Sequence, residues 1–418
     1  MNAKHTLIVP HPIRITVVGL LMMLAVPFAN AAHGDDQDSP LRGGLAHCRA
    51  KFLKERTGLV VYLGGSITIS PGWTQQVSAD LTKRFPETKF TFVNAGIPSI
   101  DSTGHAFRFT RDVLQKGLPD LIIVEAAVND LHNGRTAIES IRGLEGIVRQ
   151  ARRAQRNVDI LGLHFADPAH LADYAAGRTP PVIASHEKVL AHYNIPSINF
   201  ARDVQRQIAA GKLDWARDFK DVHPSPFGHD YYYRGIASLF DRAWSDPQKA
   251  SAPAEASTEH PSVASLDAHA YDAGTLVTPT RATNLQGFRM ESKWKPADNA
   301  GTRDGFVNVD MFTGTKPGDQ FRFAFEGRAI GFFMTTGPDA GTIEYRIDGG
   351  EWKQRDTRTQ WSNALHLPWL LVLESELESV PHQIDVRLAA PRANPNHSAL
   401  RIRDIAVNGP LIDVPAMT

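Results

Sequence analysis

The feature that most constrains this chain is a change of period partway along it. From residue 58 to about 244, short continuous apolar runs alternate with stretches of helical spacing. Leu59-Val60-Val61-Tyr62-Leu63, Leu121-Ile122-Ile123-Val124 and Ile160-Leu161-Gly162-Leu163 are such runs, and Phe90-Thr91-Phe92-Val93 and the short Ser197-Ile198-Asn199 read as further strands. Runs without polar alternation suit strands buried on both faces. Between them, Trp73 to Phe85, Ala137 to Ala154 and Pro181 to Tyr193 have helical spacing. Strands separated by helices imply an α/β fold, a parallel sheet with helices on both faces. After Trp244 the helical period disappears. Ser245 to about Ser265 is dense in Ala, Pro, Ser and Glu and cannot bury a core. Beyond it Phe321–Phe325, Thr342–Ile347, Ile384–Leu388 and Leu400–Arg403 alternate, and Asp348-Gly349-Gly350 supplies a hairpin turn. These signals predict a catalytic-size α/β domain over residues 50–245, a linker over 246–266, and an all-β sandwich, jelly-roll-like, over 267–418.

Residues 1–31 lie outside both domains. Lys4 and Arg14 precede an apolar run from Ile15 to Phe28, and Ala29-Asn30-Ala31 ends it with small residues. This is the pattern of a secretory signal peptide cleaved after Ala31, so the mature protein is expected in the periplasm or the medium, without a membrane anchor. The chain has 45 basic and 45 acidic residues, and this zero balance argues against a nucleic-acid partner. Cys48 is the single cysteine, so no intramolecular disulfide forms, and nothing in sequence marks it as reactive.

Four short blocks carry the chemistry. Leu63-Gly64-Gly65-Ser66-Ile67-Thr68 follows the first strand and places a serine hydroxyl in the crevice where α/β sheets bind ligands. A glycine-rich turn ending in an ordinary N-cap serine is the plain alternative. Val93-Asn94-Ala95-Gly96 ends the second strand, where a glycine amide approaches a substrate oxygen unhindered. Val124-Glu125-Ala126-Ala127-Val128-Asn129-Asp130 ends the third, and Asn129 brings a neutral donor suited to an oxyanion. Lys220-Asp221-Val222-His223-Pro224 precedes the last helix, and His223 is the candidate general base among seventeen histidines.

Together the blocks resemble the SGNH (GDSL-like) esterases, in the branch that reads Gly-Gly-Ser-Ile-Thr followed by a tryptophan, here Trp73. The resemblance covers residues 58 to about 240 and implies a flavodoxin-like sheet. It implies Ser66 as nucleophile, His223 as base, and an oxyanion hole of the Ser66 and Gly96 amides with the Asn129 side chain. It implies no metal or organic cofactor. Two positions depart from the pattern. Val128 stands where glycine is usual, and Lys220 stands where Asp-x-x-His places the acid. Asp221 at Asp-x-His spacing is the substitute; a backbone carbonyl or Asp218 are the other ways of orienting His223.

Other features have plainer readings. His164, Asp167 and His170 are taken as loop residues at the sheet edge rather than metal ligands. His186 and His192 are placed on a helix surface, and Tyr231-Tyr232-Tyr233 in packing. Trp294, Trp352, Trp361 and Trp369 in the β half fill its core or the contact between the domains, or else stack on sugar. Jelly-roll domains accompany SGNH domains in glycan esterases, so the expected substrate is an O-acetylated polysaccharide or oligosaccharide. A lipid or simple ester is the alternative substrate. A glycan-binding protein on a decayed esterase scaffold is the alternative function, motivated by Lys220. Oligomeric state is not legible.

Overall fold

The computed structural model describes residues 38–245, 259–391, 394 and 396–410. The signal-peptide region and most of the expected linker lie outside the described residues. The first half runs α1 (Ala46–Lys54), β1 (Thr57–Leu63), α2 (Ser66–Ile69), α3 (Trp73–Arg84), β2 (Lys89–Asn94), α4 (Ser102–Asp112), β3 (Leu121–Glu125) and α5 (Ala127–His132). It continues through α6 (Ala137–Ala154), β4 (Asp159–His164), α7 (Pro168–Ala175), α8 (Pro181–His192), β5 (Ser197–Asn199), α9 (Phe200–Ala209) and α10 (Pro226–Trp244). The strands form a parallel sheet in the order β2-β1-β3-β4-β5. This is the flavodoxin-like order, whose switch point lies between β1 and β3.

The expected strands and the three expected helices all form, and α6 has the bounds its spacing predicts. Thr136 caps it in a capping box with Glu139, each side chain bonding the other's backbone amide. Such a cap contributes about 1 kcal/mol. Helices α4, α5, α7 and α9 were not legible. The α4 segment is rich in Ser, Thr, Gly and Phe, a composition without strong helix preference. Tertiary contacts decide it: the Asp101 side chain accepts the Gly104 amide at its start, and the helix is buried against α6.

The second half is all strand: β6 (Gly274–Val277), β7 (Thr283–Gln286), β8 (Arg289–Trp294), β9 (Val309–Gly314), β10 (Gln320–Glu326) and β11 (Ala329–Thr336). It ends with β12 (Thr342–Ile347), β13 (Lys353–Asp356), β14 (Leu367–Glu374), β15 (Pro381–Leu388) and β16 (Leu400–Asn408). Two antiparallel sheets result, β13-β12-β15-β10-β7 and β14-β11-β16-β9-β8, with β6 also pairing β16. The β12–β13 hairpin turns through Asp348 and Gly349, both at positive φ, which is why a glycine and an aspartate occupy it. Phe321, Phe323, Ile343, Ile384, Phe332 and Ile402 fill the space between the sheets.

Strand β11 is buried along its whole length, with no exposed face. Its second face, through Phe333, joins Leu370 and Ala406 in a core shared with Phe107, Ile147 and Val61 of the α/β half. Helix α4 therefore lies between the parallel sheet and a sheet of the sandwich, with α6 packed beside it. The end of the expected linker is also structured. Residues 259–266 run along α6, where Arg156 O accepts the His260 amide and Glu145 accepts the Leu266 and Asp267 amides. Arg142 bonds Asp267 and Glu376, and Arg111 bonds Asp404.

Candidate active site

Strand β1 ends at Leu63, and the chain turns through Gly64 and Gly65 directly into α2 with Ser66 first. Both glycines are needed for space. A Cβ on Gly64 would lie 2.2 Å from Thr68 Oγ1, and one on Gly65 would lie 2.0 Å from Asn129 Nδ2. Ser66 thus emerges at the carboxyl end of β1, and Asn129 emerges one residue-pair into α5 after β3. These two strands flank the switch point, so nucleophile and donor share one crevice. As the first helical residue, Ser66 has an amide with no carbonyl four residues before it in the helix.

His223 reaches this crevice from the loop before α10. Its Nε2 lies 2.8 Å from Ser66 Oγ across 157 residues of sequence. The loop is shaped by its own bonds: Phe219 O accepts the Ser225 amide, and Ser225 both bonds Asp218 O and caps α10 through the Gly228 amide. Buried Pro224 and N-terminal Pro226 restrict the chain on either side.

The acid is where sequence and structure diverge. Asp221 Oδ1 accepts the backbone amide of His223 at 2.7 Å, yet lies 3.7 Å from His223 Nδ1. That is an ion-pair distance beyond hydrogen-bond reach. Both side chains are largely exposed, at 59% and 50%. Asp221 therefore shapes the loop first and faces the ring second, because two-residue spacing aims its carboxylate at the backbone. Asp218 is not a substitute: its carboxylate is held by Arg217 and by the Asp214 amide. Lys220 is exposed and adopts φ 76°, closing the helical turn Trp215–Phe219.

The Gly96 amide also has a partner that sequence did not suggest. It donates to Asn94 Oδ1 at 3.0 Å, while Asn94 Nδ2 donates to Thr68 O at 2.7 Å. Glycine is required there because a Cβ would lie 2.6 Å from the Ile69 amide nitrogen. Asn129 Nδ2 gives one hydrogen to Ile100 O at 2.8 Å, leaving the second of its two donors for the crevice.

A buried polar layer fixes α5 from below. Asp130 accepts the amide and hydroxyl of Ser102 and faces His186 Nε2 at 2.9 Å. Burial alone would raise its carboxyl, but His186 and these donors hold it below the usual range. His186, placed on the helix surface by sequence, is therefore buried: the inner face of α8 packs on α5 and supplies this contact. Desolvation pushes the Glu125 carboxyl, at the end of β3, up to about 8. His164 pairs with Glu187 and Asp167 with His132, and both His164 and His170 are buried rather than at a loop edge. His192 bonds Ala264 O near the surface. Tyr231 and Tyr232 are core residues.

The sandwich reaches the same helix that carries Asn129. Gln360 Nε2 donates to His132 O at 3.0 Å, and the Trp361 ring lies 6.2 Å edge-on from the His132 ring. Trp361 is 44% exposed, whereas Trp294 is buried, Trp352 lies beneath Arg346 and Arg387, and Trp369 packs on the sandwich core. His132 was missed in sequence; its position one turn after Asn129 was the available signal.

Residues 62–231 match the GDSL-like Lipase/Acylhydrolase family. The match takes in most of the α/β half, from β1 into α10. Among solved structures, the full two-domain arrangement is similar to "a two-domain esterase (CEX) active on acetylated mannans" at 22% identity and TM-score 0.71, covering 89% of this chain and 97% of that one. A structure of the same description co-crystallised with mannopentaose is similar at 21% identity and TM-score 0.70, covering 89% and 97%. At these identities the likeness is one of fold, and it extends across the GDSL-like domain and the sandwich together. No curated protein sequence matches the chain.

Proposed function

We propose that the protein is an exported serine esterase that removes O-acyl groups, foremost O-acetyl groups, from a carbohydrate. The observation that carries this reading is the 2.8 Å contact between Ser66 Oγ and His223 Nε2 beside the Asn129 amide. His223 takes the hydroxyl proton as Ser66 attacks the ester carbonyl, and returns it to the departing sugar oxygen. The oxyanion meets the Ser66 amide and the second Asn129 N–H; the Gly96 amide joins them when Asn94 releases it. Water then attacks the acyl-enzyme, with His223 again as base. Carbohydrate is favoured by exposed Trp361 beside α5, and by the mannan-active protein that shares the two-domain fold. Export rests on the Lys4–Ala31 pattern.

Hydrolysis of p-nitrophenyl acetate against p-nitrophenyl octanoate, with Ser66→Ala as control, tests the chemistry and chain length. Acetate release from acetylated mannan and xylan then tests the substrate class. Preference for octanoate would replace the carbohydrate reading with a lipid one. Absence of Ser66-dependent turnover on every ester would leave a glycan-binding protein.

A further inference from the structure

A second cluster of chemically able side chains lies at the amino ends of the parallel strands, opposite the carboxyl ends that carry Ser66. Asp159 opens β4 at its amino end, His47 lies in the first turn of α1, and His260 begins the segment that leads into the sandwich. One ligand atom from each converges within 4.8 Å of the others. Asp159 Oδ1 lies 3.2 Å from His47 Nδ1 and 3.2 Å from His260 Nε2.

His47 Nδ1 and Asp159 Oδ1 are at hydrogen-bonding geometry, and three observations go beyond that single bond. The buried Nε2 of His260 has no partner of hydrogen-bonding geometry, despite its distance from the carboxylate. Neighbouring ligands around a tetrahedral cation with bonds of about 2.0 Å lie about 3.3 Å apart, close to the 3.2 Å at which Asp159 Oδ1 stands from each imidazole nitrogen. The carboxylate is also oriented as a monodentate ligand: Oδ2 accepts the Cys48 amide at 2.8 Å, leaving Oδ1 to face both imidazoles. Such outer bonds aim first ligands in protein metal sites.

We propose that His47 Nδ1, Asp159 Oδ1 and His260 Nε2 bind a divalent transition-metal ion of the zinc class. Two imidazoles and a carboxylate suit Zn²⁺ and disfavour Ca²⁺ or Mg²⁺, which take oxygen-rich sets. A cleft of about 540 Å³, lined by His47, Lys51, Asp120 and Glu259 among others, opens beside His47 and gives the cluster an approach from solvent. The ion is a staple rather than a reactant, since it lies at the amino ends of strands whose carboxyl ends carry Ser66. It ties α1, β4 and the approach to the sandwich at one point. The site is independent of the esterase reading.

The test uses the full mature chain, stripped with chelator and titrated with ZnCl₂ by calorimetry and thermal melting. The wild type is expected to bind one Zn²⁺ and to melt higher when it is bound. His47→Gln and His260→Gln, both at partly exposed positions, are expected to raise Kd by at least about 10-fold. Hydrolysis of p-nitrophenyl acetate is expected to be the same with and without Zn²⁺. No saturable binding by the wild type, or binding unchanged in both variants, overturns the proposal. Should either variant fail to fold, zinc-edge absorption of the wild type decides: a shell with two imidazoles supports it, and one without them overturns it. Loss of esterase activity with zinc binding intact would count against the proposed function alone.

Discussion

The amide nitrogen of Asn129 occupies the space that a Cβ on Gly65 would need, with only 2.0 Å between the two positions. The glycine before the nucleophile is thus what lets the donor from β3 approach the hydroxyl from β1. Gly65→Ala is expected to push the Asn129 side chain aside, since its amide end moves more readily than backbone. Turnover should fall about 10²–10³-fold, the usual effect of losing one such donor. Steady-state kinetics beside a melting curve would check this, and near-normal kcat in a folded variant would refute it.

Asp221 is expected to contribute little through its charge. It stands 3.7 Å from His223 Nδ1 with both groups well exposed, and such pairs contribute about 0–1 kcal/mol after solvent screening. Asn at this position still accepts the His223 amide and preserves the loop. Asp221→Asn should therefore lower kcat/KM by less than about 10-fold, while His223→Ala lowers it by at least about 10³-fold. A loss in Asp221→Asn comparable to that of His223→Ala would show that the carboxylate closes on the ring during the reaction.

Removing the partner of Asp130 should be costly. His186→Ala leaves a buried carboxylate facing a cavity, and breaking such a pair typically costs about 3–5 kcal/mol. Urea unfolding would measure the loss. An effect below about 1 kcal/mol would mean that the Ser102 donors suffice to hold Asp130.

Glu125 supplies a pH signature. Its carboxyl titrates at about 8 in the folded chain, because burial disfavours the charge, against about 4.3 when unfolded. The folded state therefore holds the proton more tightly. The resulting stabilisation is complete below about pH 4.3 and is lost as pH rises through 8. Glu125→Gln lacks this titration, so its melting temperature should gain on the wild type from pH 5 to pH 8. Parallel curves across that range would contradict the burial argument.

Trp361→Ala should separate substrate recognition from chemistry. The ring is exposed, so melting and p-nitrophenyl acetate turnover are expected to hold. KM for an acetylated oligosaccharide should rise about 3–10-fold, the scale of a lost aromatic contact. An unchanged KM would confine the ring to the contact between sandwich and α5.

Much of the catalytic half was legible because its signals are local. The continuous apolar runs of β1, β3 and β4 suit strands covered on both faces, as found, and the bounds of α6 follow from its spacing and its Thr136 cap. The positions of Ser66, Asn129 and His223 at element ends were equally open to reading. What failed was any inference that depended on direction. His186 looks like a surface residue on α8 until α5 packs against it, and Asp221 looks like a triad acid until its carboxylate turns to the backbone.

By itself, then, the sequence determined which residues could do chemistry and which periods would form strands and helices, since both follow from side-chain type and spacing. Tertiary structure alone decided which groups meet. It brought Ser66 to His223, and it buried β11 on both faces, one between the two sandwich sheets and one in the core shared with α4. It also carried Trp361 to His132 across 229 residues of chain. Contacts between distant segments depend on packing of whole elements, and that information is spread over the core rather than written at the residues that meet.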